Sequence, residues 1–270
     1  MRKADDGVYA LRYATRESSV RGEHFYGHPE DCMGPWPIHY YIWAILDGDT
    51  TVVVDTGFTR EEATRRGKRH YGESPIELLD VLGVDPSDVE HVVLSHLHYD
   101  HTGFVGAFDS ARVHVQRAEL EFWRSGMACR GAYEHLLNRN DLDTIGRLEA
   151  EGRLNVIEGD WTIEPGISLH LVGGHTSGTQ VVRVSTSDGP VLLASDASHF
   201  YANIEEDKPY GVVHELPLMY TAFDRLNELA GSQGVVVPGH DPRVAERHQP
   251  LPHYDEAIIR LLPASLEEKK

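Results

Sequence analysis

The chain has 270 residues, of which 40% are hydrophobic and 25% are charged, and its formal net charge is −18. These proportions are ordinary for a globular protein, while the negative charge argues against nucleic acid and anionic membranes as partners, because both require a basic surface. No apolar stretch has the length of a signal peptide or a membrane span. Cys32 and Cys129 are expected to be free thiols, so we expect a cytoplasmic protein.

Short apolar runs rich in Val, Ile, Tyr and Thr alternate with helical patterns along the chain. The predicted strands are 8–13, 39–46, 51–54, 91–94, 112–115, 155–157, 168–172, 180–184, 191–194 and 235–237. The predicted helices are 60–69, 75–82, 118–123, 133–148, 217–230 and 254–262, with 60–69 exposed, and the tail 267–270 is expected to fray. Since no linker divides the chain, we predict one α/β domain over residues 1–270, an αβ/βα four-layer sandwich of two mixed sheets flanked by helices.

The segment 95–101 carries four metal-ligand side chains within six residues. His96, His98, Asp100 and His101 follow a predicted strand in the pattern H-x-H-x-D-H. Imidazoles this close repel one another when they are protonated, and all four side chains must be ordered against one another. A bound divalent cation removes both the repulsion and the cost of ordering. The pattern therefore predicts a hydrolytic metal site on a loop that leaves a strand.

Other predicted strands also end in potential ligands. His175, Asp196 and His240 follow three strands of the second half, and Asp55 follows strand 51–54. Strand ends converge in layered α/β folds, and glycines beside His175 and His240 allow tight turns there. The candidate ligands are His96, His98, Asp100, His101, His175, Asp196 and His240. These residues are too many for one tetrahedral zinc. Their number suits two metals, roughly 3.5–4 Å apart, that share Asp196 as a ligand.

These motifs resemble the metallo-β-lactamase superfamily, and within it the N-acyl-homoserine lactonase group. The similarity runs from Asp55-Thr56-Gly57 to Gly239-His240-Asp241 and includes the 96–101 loop and the Gly174-His175-Thr176 turn. It implies the metallo-β-lactamase fold and a quorum-quenching hydrolase that opens a lactone ring by attack of a metal-bridging hydroxide. It also implies two divalent metal ions, for which Zn²⁺ is the first expectation and Mn, Co and Fe are alternatives. A homodimer is a further expectation from the resemblance.

The resemblance assigns a role to each ligand. His96, His98 and His175 would hold the first metal, Asp100, His101 and His240 the second, and Asp196 would bridge them. Asp55 would accept a hydrogen bond from a ligand imidazole and fix its orientation. Asp100 would also be catalytic, by passing a proton to the leaving alkoxide.

One position departs from the related lactonases. They carry a tyrosine three residues after the bridging Asp, where this chain has His199, with Tyr201 two residues further on. His199 is either a catalytic donor in place of that phenol or an exposed loop residue, and Tyr201 is the alternative catalytic donor. The departure raises doubt about acyl-homoserine lactones as the substrate.

Bulky side chains between the ligand segments and near the N-terminus predict the character of the substrate. They are Phe25, Tyr26, Met33, Trp36, Trp43, Phe104, Phe108, Phe122, Trp123, Met127 and Tyr133, with Trp36 as a pocket wall. Together they predict a small, partly apolar lactone or related acyl compound. The other histidines, among them His24, His28 and His39, are expected to be surface or core residues.

Alternative functions remain open from sequence. The same ligands suit hydrolysis of another ester, a thioester or a cyclic amide, and part of the set suits a mononuclear-iron oxygenase of the persulfide dioxygenase type. A glyoxalase II-type enzyme is disfavoured because only thirty residues follow His240. A true β-lactamase usually lacks the bridging carboxylate that Asp196 would supply, and an RNA-processing member needs a basic surface.

Overall fold

The computed structural model describes residues 3–27 and 29–263, so His28 and the tail 267–270 lie outside the described residues. The strands in this part of the chain are β1 Gly7–Arg16, β2 Ile38–Asp47, β3 Thr50–Val54, β4 His70–Tyr71, β5 His91–Val93, β6 Arg112–Gln116, β7 Leu154–Ile157, β8 Trp161–Glu164, β9 Ile167–Leu171, β10 Gln180–Thr186, β11 Gly189–Ser195, β12 Val235–Pro238, β13 Gln249–Pro250 and β14 Ile258–Leu261. The α-helices are α1 Arg60–Arg66, α2 Pro75–Val81, α3 Tyr99–Thr102, α4 Arg117–Arg124, α5 Gly131–Glu134, α6 Arg139–Ala150, α7 Tyr201–Glu205, α8 Leu216–Ala230 and α9 Val244–Arg247.

The strands form two mixed sheets. The first sheet has the order β13-β14-β1-β2-β3-β5-β6-β7, with β4 also paired to β1, and the second has the order β12-β11-β10-β9-β8. β3, β5, β6 and β7 run parallel, as do β11 and β12, and the other neighbours are antiparallel. The predicted architecture of two mixed sheets is confirmed.

A shared apolar core joins the two sheets. Trp43 and Val52 of the first sheet lie in one buried cluster with Leu169, Leu193 and Val237 of the second. Burial of such side chains contributes about 1.5–3 kcal/mol each, so this layer holds the sheets face to face. The single domain over residues 1–270 stays a prediction.

Helices cover the outer faces of both sheets. Leu79 of α2, Leu120 of α4 and Ile145 of α6 belong to the buried cluster on the first sheet. Phe223 and Leu226 of α8 pack with residues of the second sheet in a separate cluster. The layers therefore follow the order helix, sheet, sheet, helix, as the sequence predicts.

The predicted C-terminal helix over 254–262 is wrong. Ile258–Leu261 is the strand β14, which pairs antiparallel with β1, with Val8 opposite Leu261. Asp255 and Glu256 have positive φ, which ends any helical path before this strand. Two adjacent β-branched Ile residues then suit a strand buried against β1, whose presence only the tertiary structure supplies.

Other boundaries differ from the predictions in smaller ways. The predicted helix 133–148 divides into α5 and α6, because Asn138 caps α6 by accepting a hydrogen bond from the Asn140 amide at 3.0 Å. The helix predicted over 60–69 ends at Arg66, before Gly67 with φ +66°, and it is not wholly exposed since Glu62 and Ala63 are buried. The strands β4, β8 and β13 were not predicted: β4 and β13 are two residues long and β8 is a half-exposed edge.

None of the described helices has the length and apolar character that crossing a membrane requires. Cys32 and Cys129 are exposed free thiols, as the sequence predicts.

Candidate metal centre

Five strands deliver the candidate ligands to one end of the two-sheet layer. β3 and β5 of the first sheet run parallel and are followed by Asp55 and by the 96–101 loop. β9, β11 and β12 of the second sheet are followed by His175, Asp196 and His240. Because the carboxyl ends of these strands meet, residues that are up to 144 positions apart in sequence become neighbours (His96 to His240).

One group of ligands surrounds one oxygen of Asp196. Nε2 atoms of His96 and His175 lie 3.6 and 3.3 Å from Asp196 Oδ2. Nδ1 of His98 lies 3.0 Å from Nε2 of His175. Metal–nitrogen bonds of about 2.0–2.1 Å in a tetrahedron place neighbouring ligand atoms roughly 3.4 Å apart, so these separations match one ion.

A second group surrounds the other oxygen of the same carboxylate. Nε2 atoms of His101 and His240 lie 3.5 and 3.1 Å from Asp196 Oδ1. The carboxylate of Asp100 lies 3.7 Å from His101 Nε2 and 3.9 Å from His240 Nε2. Asp196 therefore turns one oxygen toward each group, which is the arrangement of a bridging ligand.

Unpartnered atoms show that a cation fits here. Nε2 of His96, Nε2 of His101 and Oδ1 of Asp196 are buried and have no hydrogen-bond partner among the described residues. A buried polar atom without a partner costs about 1–3 kcal/mol, and such atoms are rare in folded proteins. Two divalent ions, one on each side of Asp196, would satisfy these atoms, and the donor set of imidazoles and carboxylates suits them.

Hydrogen bonds at the far ring nitrogens orient three of the imidazoles. Nδ1 of His101 lies 2.7 Å from Asp55 Oδ2, which confirms the contact predicted for Asp55. Nδ1 of His175 donates to the Val212 carbonyl at 2.9 Å, and Nδ1 of His240 donates to the His39 carbonyl at 2.8 Å. These bonds fix the tautomer that leaves Nε2 free to bind a metal.

Asp55 is held in place from several directions. Its carboxylate accepts hydrogen bonds from the Ser95 amide at 2.7 Å, the Ser95 hydroxyl at 2.8 Å and the Ser195 hydroxyl at 3.0 Å. Asp55 and Ser195 have φ of +59° and +44°, in the left-handed region that L side chains rarely adopt. Backbone strain of this kind persists where the surroundings determine the geometry, and here both strained residues flank the ligands.

Glu119 is a positioning residue that sequence reasoning missed. Its buried carboxylate accepts hydrogen bonds from the Leu97 amide at 2.9 Å, the Trp123 indole at 2.6 Å, the Thr176 hydroxyl at 2.7 Å and the Gly178 amide at 2.8 Å. It thus ties the loop of His96 and His98 to the turn of His175. A lone Glu in an amphipathic helix gives no sequence signal for this role.

The glycines beside two ligands are required, as predicted. A Cβ at Gly239 would lie 2.7 Å from Asp196 Oδ1, and Gly174 has φ +85° with Met219 Cα 2.7 Å from a Cβ position. Gly239 therefore lets the chain that carries His240 pass directly beside Asp196.

The charges in this cluster are strongly coupled. Burial and neighbouring imidazoles hold the pKa of His96 and His98 well below the ordinary value, which keeps both rings neutral and able to donate a lone pair. Burial opposes ionisation of Asp196, but the imidazoles of His199, His240 and His101 outweigh it and hold its pKa well below the usual range. His96 and His98 are thus neutral and Asp196 is ionised, the protonation states that metal binding needs. Burial opposes protonation of His101 and His240, but the neighbouring carboxylates outweigh it and raise the pKa of both rings, so an ion that binds there must displace protons.

Comparison with known proteins assigns the family. Residues 35–240 match the family described as the Metallo-beta-lactamase superfamily. The chain belongs to the metallo-beta-lactamase superfamily. It is similar to an N-acyl homoserine lactonase of a Bacillus species, 30% identical over 81% of this chain and 86% of that relative. It is also similar to the N-acyl homoserine lactonase AttM of Rhizobium johnstonii, 31% identical over 81% of this chain and 87% of the relative.

Solved structures show the same superfamily fold. A quorum-quenching N-acyl homoserine lactone lactonase superposes with a TM-score of 0.73 at 23% identity, over 90% of this chain and 95% of that one. A dizinc quorum-quenching lactonase, AidC, superposes with a TM-score of 0.70 at 15% identity, over 90% of both chains.

His199 is buried beside the candidate ligands and is not an exposed loop residue. Its Nε2 lies 3.0 Å from Asp196 Oδ2, and only 3% of the residue is exposed. Its ring stacks on Tyr210 with centroids 3.3 Å apart and planes 5° apart. Tyr210, which the sequence analysis did not single out, in turn places its hydroxyl 3.3 Å from Nδ1 of His24. The segment between Asp196 and the next long helix gave no pattern that would have revealed this stack.

Tyr201 does not reach the site, so its prediction as a catalytic donor is wrong. It lies in the core between the sheets, and its hydroxyl is 3.3 Å from Nε2 of His248. The guanidinium of Arg247 covers its ring at 3.8 Å from the centroid. The first turn of α7 directs this side chain away from Asp196, since the Tyr201 amide donates to Asp241 at 2.9 Å.

Two cavities that share lining residues lie beside the candidate ligands. A polar cavity of about 180 Å³ is lined by Asp100, Asp196, His199 and Tyr210, among others. An apolar cavity of about 200 Å³ shares His98 and His175 with it and is lined by Phe122, Trp123 and Tyr133. Three of the predicted aromatic residues thus border the ligands.

The predicted pocket wall at Trp36 is wrong. Trp36 packs edge-on against Phe25 and Phe200, with centroids 5.2 and 5.7 Å apart, and lines neither of these two cavities. Trp43 and Phe108 are fully buried core residues. Sequence alone does not separate an aromatic side chain that faces a cavity from one that fills a core.

Proposed function

We propose that this chain is a metal-dependent hydrolase that opens lactone rings. The observation that carries the proposal is Asp196, whose two oxygens each face a separate group of ligands. Relatives that are about 30% identical over most of their length are N-acyl homoserine lactonases, and one structural neighbour is a dizinc lactonase. The ester ring is therefore the substrate class that fits both the site and its relatives.

In this proposal each residue group has a separate task. His96, His98 and His175 would hold one ion, Asp100, His101 and His240 would hold the other, and Asp196 would be shared between the two groups. Two divalent ions, which we propose to be Zn²⁺, would supply Lewis acidity toward an ester carbonyl and would lower the pKa of water toward neutrality. Asp55 and the carbonyls of Val212 and His39 keep the imidazoles aimed at the ions.

The remaining polar groups transfer a proton or hold Asp196 in position. Asp100 lines the polar cavity, where its carboxylate is placed to pass a proton to the alkoxide that leaves when the ring opens. His199 holds the Oδ2 atom of Asp196 and is itself fixed by the Tyr210 ring, so we assign it a positioning role. The product is a hydroxy acid, formed by breaking the ring C–O bond and adding water.

The apolar cavity suits the acyl portion of a substrate. Phe122, Trp123 and Tyr133 form its wall beside His98 and His175. An apolar substituent buried there is stabilised by about 25 cal/mol per Å² of area removed from water. The small volumes of both cavities favour small lactones, and the homodimer and cytoplasmic location inferred from sequence stay predictions.

A hydrolysis panel tests this function. Metal-replete enzyme is mixed with acyl-homoserine lactones of several chain lengths, simple γ-lactones, a thioester and a phosphodiester, and acid release is measured together with metal content. We expect about two divalent ions per chain and turnover of lactones above the other classes. The matched variant Asp196→Asn should lose metal and rate together, because an amide is a poor bridging ligand. One iron per chain with oxygen uptake, or full metal and activity in Asp196→Asn, would contradict the proposal.

A further inference from the structure

Three arginines line the polar cavity that holds the candidate ligands. Arg16, Arg66 and Arg69 share its wall with Asp100 and Asp196. The side chains of Arg16 and Arg66 are only 15% and 12% exposed. A guanidinium always carries its charge, so these three side chains present positive charge to whatever enters this cavity.

Salt bridges do not pair all three of these arginines with carboxylates. Arg16 pairs with Glu23, and Arg66 pairs with Glu62, which also pairs with Arg65. Arg69 forms no salt bridge with any residue in the described part of the chain. One cation of the wall is therefore unpaired in a protein whose net charge is −18.

Neutral groups satisfy only part of the Arg69 guanidinium. Nη1 donates to the Gly67 carbonyl at 2.8 Å and Nη2 donates to the Tyr99 hydroxyl at 2.8 Å. Nε is buried without a partner among the residues that the structure describes, as are Arg66 Nη2 and Arg16 Nε. A partly buried arginine is ordinarily paired with an anion, and here the open space beside it is the proposed substrate cavity.

We propose that Arg69, with Arg16 and Arg66, binds an ionised carboxylate on the substrate, so that the preferred lactone is an anionic one. The inference rests on the proposed lactonase function and narrows its substrate class. An uncharged lactone would leave the Arg69 guanidinium without an anionic partner, whereas a carboxylate would give it a charge-assisted hydrogen bond. The cavity of about 180 Å³ is below the roughly 300 Å³ of common ligand pockets, which suits a compact ring with a short charged substituent.

Matched ligands separate charge from shape. The lactone pair is 5-oxotetrahydrofuran-2-carboxylate and its carboxamide, which have the same ring and nearly the same size. The second pair, tetrahydrofuran-2-carboxylate and its carboxamide, has no ester to hydrolyse and is used for calorimetric binding to the metal-replete protein. The variants are Arg69→Gln and Arg69→Lys, and the control is Arg225→Gln, which removes an exposed arginine that pairs with Asp160 and Glu228.

We expect wild type to prefer each carboxylate over its amide, in kcat/KM and in Kd. Arg69→Gln should reduce that preference about 10- to 100-fold, the usual size for a hydrogen bond to a charged group. Arg69→Lys should retain part of the preference for the carboxylate, because the positive charge remains while the planar guanidinium and its paired N–H donors are lost. The control should match wild type, and circular dichroism should show that all variants are folded.

Two results overturn the inference. One is equal affinity for the carboxylate and the amide in wild type. The other is an unchanged preference in Arg69→Gln, which would mean that the ions alone hold the carboxylate. Should wild type hydrolyse neither lactone, the proposed function fails, and binding of tetrahydrofuran-2-carboxylate then decides the inference by itself.

Discussion

Two buried carboxylates organise the centre at the scale of single residues, and they do so differently. Asp196 faces imidazoles, whose ring nitrogens lie 3.0–3.6 Å from its oxygens. Glu119 faces amide, hydroxyl and indole donors and touches no ligand ring directly. Asp196 would therefore contact bound ions directly, whereas Glu119 positions the backbone that carries the candidate ligands.

Replacing Glu119 by Gln should weaken both the fold and the metal site. The amide NH₂ would face donors that now point at a carboxylate oxygen, which leaves at least one buried donor unsatisfied at a cost of about 1–3 kcal/mol. We expect a lower free energy of unfolding in urea and about tenfold weaker metal retention during dialysis. Glu121→Gln, an exposed position on the same helix, is the control. Unchanged metal retention in a destabilised Glu119→Gln would limit Glu119 to a structural role.

At the scale of secondary-structure elements, a hydrogen bond between α3 and α6 attaches the loop of candidate ligands to the helices on the outer face of the first sheet. The Thr102 hydroxyl, at the end of α3, donates to Asp141 in the first turn of α6 at 2.8 Å. Burial raises the pKa of Asp141 to about 6, although the hydrogen bond from Thr102 opposes that rise. This contact joins the segment that carries Asp100 and His101 to a helix that the sequence analysis had merged with α5.

The raised pKa of Asp141 predicts a pH dependence of stability. The folded state binds this proton more tightly than the unfolded state, whose pKa is near 3.8. The stabilisation is therefore complete below about pH 4 and lost as pH rises to about 6, a change of up to about 3 kcal/mol. Asp141→Asn should remove this difference, measured as urea unfolding at pH 4.5 and pH 7 relative to wild type. The exposed Asp143→Asn is the control, and an identical pH profile in wild type and Asp141→Asn would refute the assignment.

At the scale of the whole molecule, the metal centre links the two sheets. His96, His98, Asp100 and His101 come from the first sheet, and the other ligands follow strands of the second. Ions bound at the end of the apolar core would therefore stabilise the same interface between the sheets as the core does. A metal ion that binds the folded state and not the unfolded state stabilises the folded state by mass action.

Removal of metal should lower the thermal stability of the whole chain. Free metal at about a thousand times Kd contributes roughly 4 kcal/mol, which for a chain of this size corresponds to a shift in Tm of roughly 10 °C. Scanning calorimetry with and without a chelator measures the shift, and added Zn²⁺ should restore it. Asp196→Asn should show a much smaller difference between the two conditions. An equally stable chelated protein would argue against ions that bind across the sheets.

The sequence predicted most strands because short apolar runs with turn residues at their ends carry a local signal. It failed for 254–262 because a strand that extends the sheet beside β1 is specified by its partner, which lies 247 residues away at one end of the pairing (Leu11 to Ile258) and 253 at the other (Val8 to Leu261). Tyr201 and Trp36 were misplaced for a similar reason, since the direction of a side chain depends on what packs around it.

The sequence by itself determined the types of ligands and the strand ends that carry them, because metal-binding side chains in close spacing and glycines beside them are local properties of the chain. Only the tertiary structure decided which oxygen of Asp196 faces which group, that Glu119 and Tyr210 belong to the centre, and that Arg69 lies in the cavity with no salt bridge to any described residue. These features arise where segments far apart in sequence pack together, and distances between such segments are set by the core and not by the order of residues.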